Sequence, residues 1–306
     1  MTAVYFDSPH SDQERRKRIY EGDIYVFSPS PPSLGLCELA RELSEEAFSP
    51  HSPEVAQNYM DVVDYAATLA ELKPKLIHHS DAKIRIREMF EQFGCDTETS
   101  YFDVPRLRTS TSDGYLTTGI AYAFHAHRDT WYSAPSCQIN WWMPVYAIEA
   151  ENGMTIHDQY FGEVVPNTSS CYDYYEWNKR NRRDAAKYIG KDTREQPKAK
   201  SPIERSPDLR VVTPVGGIMM FSAAHLHSSL ENMTGRTRLS IDFRTVNIDD
   251  ASNQFGAPMN DVDCTGTTLR DFLRASDLAR MPEEVVALHD SGDGSKRGEL
   301  IYDPNK

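Results

Sequence analysis

His127-Arg128-Asp129 sets an imidazole and a carboxylate two positions apart, where the apolar run Ala123-Phe124-His125-Ala126 ends. A second cluster, Gly216 to Arg244, reads GGIMMFSAAHLHSSLENMTGRTRLSIDFR: strand-forming residues, His225 and His227, a polar turn, then a run that carries Arg238. Two imidazoles and one carboxylate can hold one face of a ferrous ion and leave the opposite positions open to ligands. Each cluster also holds a His-x-His pair, so spacing alone admits a three-histidine set beside a His-Asp-His set. The carboxylate two residues on favours His127 over His125. The same His-x-Asp spacing occurs at His10-Ser11-Asp12, in a polar segment, and at His79-Ser80-Asp81, where Ser and Asp suit a helix N-terminus. Neither is followed by matching partners.

Residues i and i+2 of a strand share a face, so Arg238 and Ser240 point the same way. A planar two-pronged guanidinium with a hydroxyl beside it suits a carboxylate. In Cys137 to Trp142 the same rule puts Gln138, Asn140 and Trp142 together, and inward-facing amides suit a bound carboxylate or a substrate, or else complete a buried network. Trp131 and Tyr132, just past Asp129, with Arg128, Trp142 and His157, are the candidate substrate-pocket residues. Trp131 and Tyr132 serve equally as core or rim packing. Arg106, Arg108, Lys179, Arg180, Arg182 and Arg183 are cations available to an anionic substrate, each with a surface role as the plainer alternative.

The elements that must position these residues are legible from periodicity. Asp23 to Phe27 alternates as a short strand before the turn-rich Ser28 to Ser33. Helices are expected over 34–48, over 53–72 with Pro53 in the first turn, and over 81–93, stopped by Gly94. After Gly94 the texture turns to strands, expected over 100–108, 115–127, 136–148, 153–161, 210–215, 217–223 and 236–247. Strands without intervening helices predict a sandwich or barrel. A long insertion spans 162–209. Residues 176–210 hold eleven Lys/Arg against six Asp/Glu, a local +5, so this segment reads as a lid or a solvated flap. Residues 266–290 read as helix, and the tail from Ser291 is polar. One domain of 1–306 is expected: a helical support over 1–98, a core over 99–248, and a C-terminal helix and tail over 249–306.

Composition fits a soluble globular chain, 39% hydrophobic and 26% charged. A net charge of −13 argues against nucleic acid as a partner, and no apolar run approaches the ~20 residues that span a bilayer. Five scattered cysteines without a CxxC pair, and an N-terminus without an apolar signal core, predict reduced thiols in the cytoplasm. A small molecule is the expected partner, the protein itself a monomer or homodimer.

The order His127-x-Asp129, His227, Arg238-x-Ser240 resembles the Fe(II)/2-oxoglutarate-dependent dioxygenases, and among them the phytanoyl-CoA dioxygenase-like branch. Glu151-Asn152-Gly153-Met154, the lead-in Pro214 to Ile218 and Asn232 after His227 add to the likeness, which covers roughly 100–248. It implies a mainly β fold with helices, a double-stranded β-helix (a cupin-like jelly roll) with N-terminal helices packed outside. It also implies Fe(II) on His127, Asp129 and His227, since the spacing from His227 to the Arg-x-Ser matches the family. 2-Oxoglutarate would meet Arg238 and Ser240, with Gln138 and Asn140 as further ligands, and O2 would be the co-substrate. The implied reaction oxidises a small molecule, plausible for natural-product biosynthesis, with release of succinate and CO2. Asp129 favours hydroxylation, desaturation, ring formation or demethylation over halogenation, because halogenating relatives lack that carboxylate. The departure is Ile156-His157-Asp158-Gln159-Tyr160, which stands where Pro-Gly-Ser-His is usual. The rival is a cupin-type metal dioxygenase or isomerase that needs no 2-oxoglutarate, its metal held by His125, His127 and His225 or His227.

Overall fold

A computed structural model describes residues 2–118, 125–181, 185–189, 191–296 and 300–304. The expected strand 115–127 falls largely outside the described residues, as do Arg182 and Arg183. The chain opens with two elements that periodicity missed, strand β1 (Val4–Phe6) and helix α1 (Asp12–Tyr20). The helix buries only Arg15, Ile19 and Tyr20, too few positions to print an amphipathic pattern. Strand β2 (Ile24–Phe27) follows where expected. Helix α2 (Pro31–Phe48) is set by two prolines in its first turn and by a reciprocal Ser30–Ser33 cap. Helix α3 (Val62–His78) starts at Val62 rather than Pro53, because the Asp61 carboxylate takes the amides of Val63 and Asp64, both at 2.9 Å. Helix α4 (Ser80–Gln92) stops just before Gly94, whose φ of 66° suits a residue without a Cβ.

The strands are shorter than their apolar runs. The expected 100–108 is two strands, β3 (Ser100–Phe102) and β4 (Arg106–Ser110), split where Pro105 removes a ladder donor. Then come β5 (Ile139–Pro144), β6 (Met154–Ile156), β7 (Leu209–Arg210), β8 (Ile218–Ser222), β9 (His227–Ser229), β10 (Arg238–Asn247) and β11 (Leu273–Arg274). The last corrects the expected helix over 266–290. A turn at Thr268–Asp271, capped by Thr267, delivers Leu273 to the sheet edge, and only Glu283–Ala287 is helical.

The large sheet runs β1-β2-β8-β5-β10-β3-β11, with β4 also on β10, and the small sheet runs β7-β6-β9. All pairs are antiparallel except β1 with β2. Strand β10 is central, registered against β5 on one side and β4 then β3 on the other. Its period of two divides its chemistry. Leu239, Ile241 and Phe243 are fully buried and join Leu36, Leu69 and Phe90 of the helices in the main core. Each such burial stabilises by about 1.5–3 kcal/mol. Arg238, Ser240, Asp242 and Arg244 therefore share the other face. On that side Ile24, Val26, Trp142, Met219 and Phe221 of the large sheet pack on Met154 and Ile156 of the small one. Two sheets packed face to face, with helices outside the larger, make a jelly roll. Among the described residues no helix is long and apolar enough to cross a membrane.

Candidate metal centre

His127 and His227 meet across the rim of the two sheets. Their backbones exchange both hydrogen bonds, at 3.0 and 2.9 Å, in an isolated bridge that continues β9. Directly opposed residues of this kind share a face, and the two rings stand 4.4 Å apart. Each Nδ1 lies against a backbone carbonyl two residues upstream, His127 on His125 at 3.2 Å and His227 on His225 at 3.0 Å. A carbonyl only accepts, so both Nδ1 atoms carry the proton and both Nε2 lone pairs are left for a ligand. Both Nε2 atoms face Oδ1 of Asp129, at 3.6 and 3.9 Å. Asp129 is fixed by its own amide, which donates to the Ala223 carbonyl at 3.0 Å as a short 3-10 turn begins. One ligand atom from each of His127, Asp129 and His227 lies within 4.8 Å of the others, and all three residues are buried.

The electrostatics hold the protonation states a metal needs. Burial first, then the neighbouring His127, pushes the His227 imidazolium down to about 3, against a smaller pull from Asp129. Burial by itself would raise the Asp129 carboxyl. Its neighbours His127 and Arg244 outweigh it and hold the group well below the usual carboxylate range. A neutral imidazole beside an ionised carboxylate fits a ferrous ion with open positions opposite.

The alternative three-histidine set is not assembled. His225 donates Nε2 to the Gly22 carbonyl at 3.1 Å, and Nε2 of His125 meets the Tyr132 hydroxyl at 3.1 Å. Both serve the centre through their backbone carbonyls instead.

Arg238 lies inside the roll, its guanidinium 5.8 Å from the centre of the Trp142 ring. It donates to the carbonyls of Asn152 and Gly153, at 3.3 and 3.1 Å, and to Ser229 Oγ at 3.4 Å. Its Nε and the Ser240 hydroxyl are both buried without a partner. Leaving such groups unmet costs about 1–3 kcal/mol each, so two of them on one strand face fit a missing carboxylate. That is the donor set that the distal carboxylate of 2-oxoglutarate needs.

The remaining sequence candidates divide. Tyr132 and Gln138 line a cavity of about 1660 Å³ that opens on Asp129. Gln138 donates to Asp129 Oδ2 at 3.3 Å and to the Asn140 side-chain oxygen at 3.0 Å, so in this structure both amides support the carboxylate. Arg128, Trp131, Trp142 and His157 do not line the cavity. Arg128 is buried and donates to the carbonyls of Ala224, Tyr160 and Glu163. The Trp131 indole donates to Asp261 at 3.0 Å, Trp142 fills the space between the sheets, and His157 bonds the Ser228 hydroxyl at 3.0 Å. Arg244 was missed. Its Nε lies 3.8 Å from Asp129 Oδ2, and the parity that singled out Arg238 and Ser240 would have found it two steps farther along β10.

No protein-family model matches this chain, and no curated protein does. Among solved structures the non-heme monooxygenase ThoJ is similar at 11% identity over 70% of each chain, with a TM-score of 0.38. The non-heme alpha ketoglutarate dependent epimerase SnoN from nogalamycin biosynthesis is 11% identical over 78% of this chain and 84% of its own, at 0.36. EctD from S. alaskensis is 12% identical over 83% of each chain, at 0.38. Likenesses of this size carry no weight for the reaction, which rests on the geometry above.

Proposed function

We propose that this protein is a non-haem Fe(II)/2-oxoglutarate-dependent oxygenase acting on a small molecule. The observation that carries the reading is the buried cluster of His127, Asp129 and His227, whose Asp129 lines the cavity, together with a buried Arg238-x-Ser240 pair that has unmet polar atoms. His127, Asp129 and His227 would hold the iron, and Arg238 with Ser240 the far carboxylate of 2-oxoglutarate. The bound pair supplies oxidation of a substrate C–H bond by O2, with 2-oxoglutarate leaving as succinate and CO2. The chain's own part is positional. The two Nδ1–carbonyl bonds aim the imidazoles, Gln138 and Arg244 hold the second oxygen of Asp129, and the sheet-to-sheet core keeps bulk water from Arg238. The spacing of these residues supports our further reading of the chain as phytanoyl-CoA dioxygenase-like.

The test is anaerobic addition of Fe(II) and then 2-oxoglutarate to metal-free protein, wild type and Asp129→Ala, followed by visible absorption. A weak charge-transfer band that needs both additions, and that the variant lacks, is the expected result. Iron uptake with no band from 2-oxoglutarate would replace this reading by a metal enzyme of the cupin kind.

A further inference from the structure

Part of the long insertion forms a wall of the cavity, where Gln196 and Lys198 line it. This segment is laced to 166–168. The Lys200 amide donates to the Pro166 carbonyl at 2.8 Å, the Thr168 amide to the Lys198 carbonyl at 2.9 Å, and Asn167 bridges Ala199. Lys198 and Lys200 are exposed, whereas Pro197 between the cavity-lining pair is buried. The Pro197 carbonyl accepts from the Tyr132 hydroxyl at 3.1 Å.

That hydroxyl also meets Nε2 of His125 at 3.1 Å. A carbonyl only accepts and a phenol has one proton, so the Tyr132 proton goes to Pro197 and His125 Nε2 is the donor to Tyr132. The backbone carbonyl of His125 in turn holds Nδ1 of His127 at 3.2 Å. Tyr132 reaches the metal centre by two further routes. Its ring stands edge-on to the His127 ring, 5.4 Å between centres, and it ends the 3-10 turn that begins at Asp129. One phenol thus touches the cavity wall on one side and, on the other, the elements that aim two of the three ligands.

We infer that Tyr132 is a positioning residue that couples closure of the 196–200 segment over the cavity to occupancy of the metal site. The inference rests on the metal-centre part of the proposed function, and on neither 2-oxoglutarate nor the reaction. An ion that fixes the His127 ring and Asp129 fixes both ends of the turn, and the hydroxyl then holds Pro197 in place. Such coupling is reciprocal. Whatever factor the ion adds to closure, closure adds to affinity for the ion.

Limited trypsin digestion of the full-length protein tests this, metal-free and saturated with Co(II), with the cuts after Lys198 and Lys200 followed by mass spectrometry. Where opening and reclosing are fast, the rate of such cuts tracks the open population. Co(II) is expected to slow both cuts in wild type by about 2- to 10-fold, the size of one hydrogen bond. Tyr132→Phe keeps the ring and loses only the hydroxyl. Its metal-free form should be cut faster at both sites, with cuts outside the insertion unchanged. Co(II) should protect it little, and its Co(II) affinity should fall by the factor of protection that is lost. Equal protection in both proteins, no protection in wild type, or lost protection with wild-type Co(II) affinity overturns the coupling. Failure of wild type to bind Co(II) overturns it together with the metal centre. Absence of the 2-oxoglutarate band with the coupling intact would instead sink only the oxygenase reading.

Discussion

The side-chain amide of Gln138 reaches Oδ2 of Asp129 at 3.3 Å, while both imidazole Nε2 atoms face Oδ1. The carboxylate is thus divided between two tasks, one oxygen toward the metal position and one held by protein. Asn140 accepts from the same amide at 3.0 Å and fixes its orientation.

Gln138→Leu should therefore weaken divalent metal binding by roughly 10- to 100-fold, the usual loss when a group that orients a ligand is removed. Gln138→Glu should be worse, because it sets a second anion against Asp129. Titration of metal-free protein with Co(II) reads both. Equal affinities in wild type and Gln138→Leu would show that the amide does not orient the ligand.

Arg238→Gln tests the other half of the site. Arg238 has no described contact with His127, Asp129 or His227, so Co(II) affinity should stay as in wild type. 2-Oxoglutarate affinity should fall by about 100-fold, the range expected when a buried carboxylate loses its charged partner. A variant that loses both affinities together would mean that the substitution has collapsed the inner face of β10.

Chemistry was legible where it follows parity or fixed spacing. His127-x-Asp129 stands out by its fixed spacing at the end of an apolar run, and Arg238-x-Ser240 because residues two apart on a strand share a face; neither signal needs tertiary information. Helices α2 and α4 were legible for the same kind of reason, being long, amphipathic and capped by their own sequence. Strand β1 and helix α1 were not, since three residues and a highly charged turn carry no period, and β1 exists only because β2 lies beside it. Trp131 and Arg128 misled because adjacency to Asp129 in sequence says nothing about direction. The 3-10 turn sends both side chains toward Asp261, on a segment no local pattern connects to them.

Asp242 should contribute to acid sensitivity. Burial raises its carboxyl, but Arg108 and then Arg244 outweigh burial and hold it down to about 2, against about 3.9 in an unfolded chain. A depressed folded pKa gives stability that is fully present above pH ~4 and lost as pH falls through about 2. Asp242→Asn should thus be less stable than wild type near neutrality, with a pH-dependent part on the order of 2 kcal/mol. That part should vanish toward pH 2, leaving only the constant cost of two poorly balanced arginines. Denaturant melts of both proteins across this range give the curve, and a parallel pair of curves would assign the acid loss to other groups.

The metal centre should also be sensitive to a glycine that touches none of its ligands. At Gly256 a Cβ would stand 2.4 Å from the Ser136 carbonyl carbon and 2.6 Å from the Cys137 nitrogen, both backbone atoms that no rotamer change can move. Ser136 and Cys137 lead directly into Gln138, so relief of the clash has to displace the amide that holds Asp129. Gly256→Ala is expected to cost about 1–3 kcal/mol, the range of an overpacked site, and to weaken Co(II) binding in the same direction as Gln138→Leu. Gly94→Ala separates strain from displacement. At Gly94 the φ of 66° disfavours a side chain, but a Cβ there meets nothing within 4 Å, so stability alone should fall. Matching losses of metal affinity in the two alanine variants would mean that the centre responds to global stability. A loss confined to Gly256→Ala would trace it through the strand that carries Gln138.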